Sequence, residues 1–150
     1  MAYVLFDLNY HTQLIAKNMD ELNLRNSRWK VWQDKKVGHM VEISDTDFVL
    51  LQKGLKDINY DGKAVSLKDP VYIHYPQNAE DLQETIDHLI KLIDSNLNKY
   101  KDTSFSTELT NFKNNLQSID TSSITYPMTT NVMQYLSNQN KSILGYLQLV

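Results

Sequence analysis

The sequence predicts an α+β fold in one domain, and three observations carry that expectation. Apolar residues recur at helical spacing through most of the second half of the chain. Between Trp29 and Ile43 the pattern switches to an alternation of two, as in half-buried strands. The length of 150 residues, at 41% hydrophobic and 22% charged, fits one globular unit burying roughly 70% of its unfolded surface. The unit is expected to span 1–150, with a mixed half (1–76) and a mainly helical half (77–150).

An N-terminal helix is expected from Leu8 to about Asn23, because Leu8, His11, Ile15, Met19 and Leu22 step by three or four residues. Asp7 serves as its N-cap. A small antiparallel sheet follows, with strands around Trp29 to Val31 and Val37 to Ile43 separated by a turn at Asp34, Lys35 and Lys36. Ser44 and Asp47 form a variant of the capping box. They open a short helix whose stripe is Phe48, Leu51, Leu55 and Ile58. Asp61-Gly62 is a turn signal. Strands are expected at Ala64 to Leu67 and Val71 to Tyr75, divided by Asp69-Pro70.

In the second half, Asn78 caps a helix to about Tyr100 with Leu82, Ile86, Leu89, Ile90, Ile93 and Leu97 on its buried face. Phe105, Leu109, Phe112, Leu116 and Ile119 mark the next helix. The connector, Lys101 to Ser104, is short enough to make the two an antiparallel hairpin. A Ser/Thr-rich loop with Pro127 leads to a weaker last helix from Asn131 to about Asn138.

Composition narrows the function classes. The longest apolar runs, Phe48 to Leu51 and Ile143 to Val150, are far below the ~20 residues of a membrane span. Asp7 and Asn9 interrupt the one stretch that resembles a secretory signal. The expectation is a chain that begins at Met1 and stays in the cytosol. With no cysteine there is no disulfide, thiolate nucleophile or sulfur-ligated zinc. The net charge of −3 argues against nonspecific nucleic-acid binding. Thirteen Lys against two Arg, with fourteen Asn, fit the A-rich codons of an AT-rich genome.

No constellation of side chains announces a reaction. His11, His39, His74 and His88 form no HExxH pattern; His39 and His74 meet only if their strands pair, with Asp45 or Asp47 nearby. Half-buried histidines without metal are the commoner outcome. Glu84 and His88, one helical turn apart, read as a surface pair. Asp45 and Asp47 sit where acidic residues offset a helix dipole. GxSxG, Walker and dinucleotide motifs are absent from the sequence, which holds four glycines. No catalytic residue, cofactor or metal is expected.

Two segments stand out. Arg25 to Lys36 holds both arginines (Arg25, Arg28), Lys30, Lys35, Lys36 and both tryptophans (Trp29, Trp32), opposed by Asp34 alone, for a local charge of +4. Cations interleaved with large aromatics suit a protein-interface anchor, or equally a core residue beside solvated charge; nucleic-acid stacking ranks behind both. On a strand, Trp29 and Trp32 face opposite sides. The second segment is the apolar end of the chain, Ile143, Leu144, Leu147, Leu149 and Val150. It either docks on the chain's own core or hooks a neighbouring subunit.

The opening, Asp7-Leu8-Asn9-Tyr10 with Ala16-Lys17-Asn18-Met19-Asp20-Glu21-Leu22, resembles the starts of small virion proteins of tailed bacteriophages. The close, Tyr135-Leu136 with Leu147-Gln148-Leu149, is similar to the ends of phage structural proteins. Together they cover roughly a quarter of the chain and carry over no ligand or catalytic residue. The resemblance implies a non-enzymatic structural or adaptor subunit of the tail, baseplate or neck, made in the host cytoplasm and present in the virion. It would dock to other virion proteins, in several copies or as a homo-oligomer, through Arg28, Trp29, Trp32, Leu144, Leu147 and Leu149. The alternative is a small intracellular binding protein, such as a phage-encoded inhibitor of a host factor.

Overall fold

The computed structural model describes residues 1–70 and 73–140. Its N-terminal half is built on a three-stranded antiparallel sheet in the order β2-β1-β3, from β1 (Ala2–Asp7), β2 (Thr12–Ala16) and β3 (Gly38–Ile43). Between β2 and β3 lie two short helices, α1 (Met19–Arg25) and α2 (Trp29–Asp34). Helix α3 (Asp45–Gln52) leads into a two-stranded antiparallel sheet, β4 (Asp57–Tyr60) and β5 (Val65–Lys68). The long helices α4 (Ala79–Lys99) and α5 (Ser104–Gln117) pack as a hairpin, and α6 (Val132–Asn140) closes the described chain. The architecture is α+β.

Burial on both faces of the first sheet governs the N-terminal half. Val4 pairs with Ile15 and Val41, while Leu5 pairs with Leu14 and Met40. Ala2, Val4, Phe6, Ile15 and Ile43 point into the main core, shared with Leu82, Ile86, Ile93, Leu109, Phe112, Leu116 and Leu136 of the C-terminal helices. Leu5, Leu14 and Ala16 point the other way, into a second cluster with Leu22 and Trp29. Each large side chain so buried contributes roughly 1.5–3 kcal/mol.

Doubly covered strands read as continuous apolar runs, and here the expected first helix gives way. Residues 8–16 form a turn and β2; helix begins only at Met19, where the Asn18 side chain accepts the Glu21 N–H at 2.9 Å. The three-and-four spacing from Leu8 to Leu22 bridges two kinds of structure. Trp29 to Val31 is also helical and not a strand. Asp34 to Lys36 is a helix end: the Lys36 N–H bonds the Gln33 carbonyl at 3.1 Å and the Val37 N–H bonds that of Trp32 at 2.9 Å. Lys36, at φ 58°, occupies the left-handed position where glycine is usual.

Helix α3 starts as expected, with the Ser44 hydroxyl accepting the Asp47 N–H at 3.1 Å. It stops earlier than its apolar stripe suggests. Gly54, at φ 69°, turns the chain, and the Leu55 N–H closes on the Leu50 carbonyl at 3.0 Å. Ile58 therefore falls in β4. The Asp61-Gly62 turn and the strand after it are present, the Asp61 carboxylate accepting the N–H groups of Lys63 and Ala64 at 2.8 and 2.9 Å.

Of the strand expected over Val71 to Tyr75, residues 71–72 lie outside the described residues and 73–75 are not in a sheet. That segment is held by other means. The His74 N–H donates to the Asn131 side chain at 2.9 Å, the His74 carbonyl accepts the Val132 N–H at 2.8 Å, and the Pro76 carbonyl accepts the Met128 N–H at 2.9 Å. Asn78 caps α4 by accepting the Asp81 N–H at 2.8 Å. Leu82, Ile86, Leu89 and Ile93 are buried along α4 and Phe105, Leu109, Phe112 and Leu116 along α5, while Ile119 lies just past the end of α5.

Candidate interaction surface

The residues expected to meet a partner fall into three environments. Arg28 is exposed at the start of α2, its N–H bonded to the Asn26 side chain at 3.0 Å. Trp29 is a core residue: it is buried in the second cluster, and its Nε1 donates to Asn23 at 2.8 Å. Trp32 is half-buried beside it. In a helix, residues three apart share a face, so both tryptophans turn toward the same cluster instead of opposite sides. Trp32 also lies across the start of β3, where a Cβ on Gly38 would stand 3.0 Å from the Trp32 Cβ. Leu144, Leu147 and Leu149 lie outside the described residues.

Exposed apolar side chains gather instead at one end of the first sheet. Asp7 pairs with Gly38 at the end of the β1–β3 ladder, so Leu8 and Val37 leave the sheet side by side, 59% and 44% exposed. Asp7 builds the turn that follows. One carboxylate oxygen accepts the N–H groups of Asn9 and His11 at 2.8 and 2.9 Å, and the other accepts Gln13 Nε2 at 3.1 Å. The His11 N–H, above all, holds the Asp7 carboxyl below its ordinary pKa.

Tyr10, at φ 65° and 41% exposed, stands at the tip of this turn. Its ring lies 5.5 Å from that of His39 and 5.2 Å, edge-on, from that of Tyr60. Tyr60 in turn stacks on Phe6 at 4.7 Å. The Tyr10 hydroxyl reaches the β4–β5 turn, where a Cβ on Gly62 would meet it at 2.6 Å. A ladder of rings thus runs from the core outward to a surface tyrosine. Exposed charges of both signs adjoin it in sequence, Asp34, Lys35 and Lys36 before Val37 and Asp61 and Lys63 on either side of Gly62. Arg28 and Lys30 are exposed on α2, whose tryptophans pack with the second cluster on the other face of the sheet. The sequence signal for this surface was the Asp7-Leu8-Asn9-Tyr10 turn, hidden by the helical spacing that runs through it.

The histidines do not assemble into one site. His39 belongs to the aromatic ladder, whereas His74 Nε2 lies 2.8 Å from Asp81 Oδ1. The Asp81 carboxyl is held below its ordinary pKa, first by the Gln77 N–H and then by His74. Among the described residues no three His, Asp or Glu side chains form a group able to hold a metal ion, and no helix is long and apolar enough to cross a membrane.

A groove of about 150 Å³ runs between α1 and α5, lined by Lys17, Asp20, Glu21, Leu24, Phe105 and Glu108. A polar hollow of about 290 Å³ lies between the end of α5 and α6. Both are smaller than the ~300–1,000 Å³ typical of ligand pockets. The first is bridged by Lys17 Nζ and Glu108 Oε1 at 2.8 Å, a bond that raises the Lys17 pKa.

Fold and surface together define an α+β protein with an apolar and aromatic patch, bordered by charges of both signs, at one end of its sheet. No protein-family model, curated protein or solved structure matches the chain.

Proposed function

We propose that the chain is a non-enzymatic structural or adaptor subunit of a tailed-phage virion that docks to neighbouring virion proteins through the sheet end bearing Leu8, Tyr10 and Val37. The observation that carries the docking is the clustering of these three exposed apolar side chains over an ordered ring ladder. A preorganised tyrosine flanked by aliphatic groups offers contact area at little entropic cost, and Tyr and Arg are the residue types that dominate interface energies. Trp32 lies against Gly38, next to Val37. The charges bordering the patch are of both signs, Lys35, Lys36 and Lys63 with Asp34 and Asp61, so electrostatics would set register with a partner more than affinity. The assignment to a virion rests on the resemblance of the opening and closing segments.

Quantitative mass spectrometry of purified particles tests the proposal. The expected result is this chain at a fixed ratio to the other virion proteins through successive purification steps. Its absence from particles, with the protein abundant in the infected-cell lysate, would overturn the assignment.

A further inference from the structure

The hollow of about 290 Å³ between the end of α5 and α6 shares no residue with the docking patch, and six of its seven lining residues carry a side-chain hydroxyl, amide or carboxylate. Asn115 lies in the last turn of α5, and Ser118 follows it as the C-cap. Asp120 opens the short 3-10 turn that ends at Ser123. Tyr135 and Gln139 stand one turn apart on α6 and so share a face. The turn fixes its carboxylate: Asp120 Oδ1 accepts the Ser122 N–H at 3.0 Å and the Ser122 hydroxyl at 2.6 Å. The Tyr126 hydroxyl braces the same turn by donating to the Thr121 carbonyl at 2.6 Å. The other polar groups are uncommitted. Asp120 Oδ2, the side-chain amides of Asn115 and Gln139, and the Tyr135 hydroxyl make no hydrogen bond among the described residues. Tyr135 is half-buried, packed against the main core.

This set selects by hydrogen bonding and against net charge. An anion finds no cation in the lining, and it faces Asp120 and the negative end of the α5 dipole. A cation finds one carboxylate beside two amides, whose N–H groups repel it. A hydroxyl suits every member, because it gives its proton to Asp120 and accepts one from Asn115 or Gln139. We propose that the hollow binds one sugar ring, a neutral ligand with adjacent hydroxyls. Asp120 Oδ2 and the amides of Asn115 and Gln139 take the hydroxyls, and Tyr135 supplies an apolar ring beside the C–H groups of the sugar. A space just under the range of drug-sized pockets suits a single ring. The fixed Asp120 carboxylate lowers the ordering cost of binding.

The test is a titration of the isotope-labelled full chain, followed through its backbone amide resonances. The probes are glucose, galactose, mannose and N-acetylglucosamine, each as the free sugar and as its methyl glycoside. At least one is expected to give saturable shifts confined to residues 115–123 and 135–139, with Kd in about the millimolar range. A glycoside bound as tightly as the free sugar marks a residue of a glycan, and binding of the free form alone marks a free sugar. Asn115→Ala and Gln139→Ala change exposed side chains, and each is checked for an unchanged urea midpoint. Each is expected to weaken binding about three- to tenfold, and Asp120→Asn about tenfold or more. The absence of saturable shifts with every sugar would overturn the proposal. So would shifts at the hollow from choline or inorganic phosphate with none from sugars, or alanine variants that bind like wild type.

Discussion

Replacing Arg25 by alanine removes the cation that ties the N-terminal sheet to the helical hairpin. Arg25 is 6% exposed on α1. Its Nη1 donates to the Ile15 carbonyl at 2.7 Å, its Nε reaches the Tyr100 hydroxyl at 3.4 Å, and the guanidinium lies 4.8 and 5.7 Å from the ring centres of Phe105 and Tyr100. Glu21, equally buried, approaches within 4.0 Å and accepts the Lys17 N–H at 3.0 Å. A hydrogen bond from a charged group is worth about 1.5–3 kcal/mol. Removing one member of a buried ion pair costs about 3–5 kcal/mol, because the other charge is left in a poor solvent.

The expected loss for Arg25→Ala is therefore about 4 kcal/mol, which for a domain of this length lowers the melting midpoint by about 8–16 °C. Urea unfolding with m held constant measures it. Glu21→Gln combined with Arg25→Met removes both charges and preserves volume, so the pair is expected to recover at least about half of the loss. A cost below about 1 kcal/mol for Arg25→Ala, or a double variant as unstable as the single one, would refute the reasoning.

Phe112, buried without exposure on α5, is expected to cost about 3–5 kcal/mol when cut to alanine, read from the shift of the urea midpoint. Asn78→Ala removes the side-chain acceptor of the Asp81 N–H and is expected to cost about 1 kcal/mol, with faster amide exchange confined to the first turn of α4. The carboxyls of Asp7, Asp61, Asp81 and Asp120 are all held below their ordinary pKa, mainly by hydrogen bonds from backbone N–H groups or, at Asp120, from Ser122. They bind protons less readily when folded, so their contribution is full above the unfolded pKa of about 4 and is lost as pH falls through the folded values. Unfolding midpoints measured from neutral pH downward are expected to stay level to about pH 5 and then drop, less steeply for Asp81→Asn.

The parts of the fold visible in the sequence are those where one local rule acts alone. The α4–α5 hairpin has polar outer faces, so its apolar stripes keep a clean helical period from Leu82 to Leu116, and Asn78 and Ser44 act as caps within their own turns. The first sheet follows a different logic. With cores on both sides, Val4-Leu5-Phe6 and Leu14-Ile15-Ala16 lose the alternation that identifies a strand. Leu8, Ile15 and Leu22 then mimic a helix by accident of spacing. The tryptophan pair was legible as unusual. Its division into a buried Trp29 and a half-buried Trp32 depended on α2 being a helix, which nothing in six residues with weak caps announces. The patch at Leu8, Tyr10 and Val37 needed the β1–β3 pairing, a contact between residues some thirty positions apart.

The exposed sheet end, as the proposed docking surface, is probed most directly by Leu8→Asp. Leu8 lies in a turn and is mostly exposed, so the thermal midpoint is expected to move by no more than the equivalent of about 0.5 kcal/mol. The decisive measurement is the occupancy of the variant in purified particles, relative to wild type supplied in the same infection. A fall of about tenfold with the fold intact is the predicted result. Equal incorporation of Leu8→Asp and wild type would contradict it.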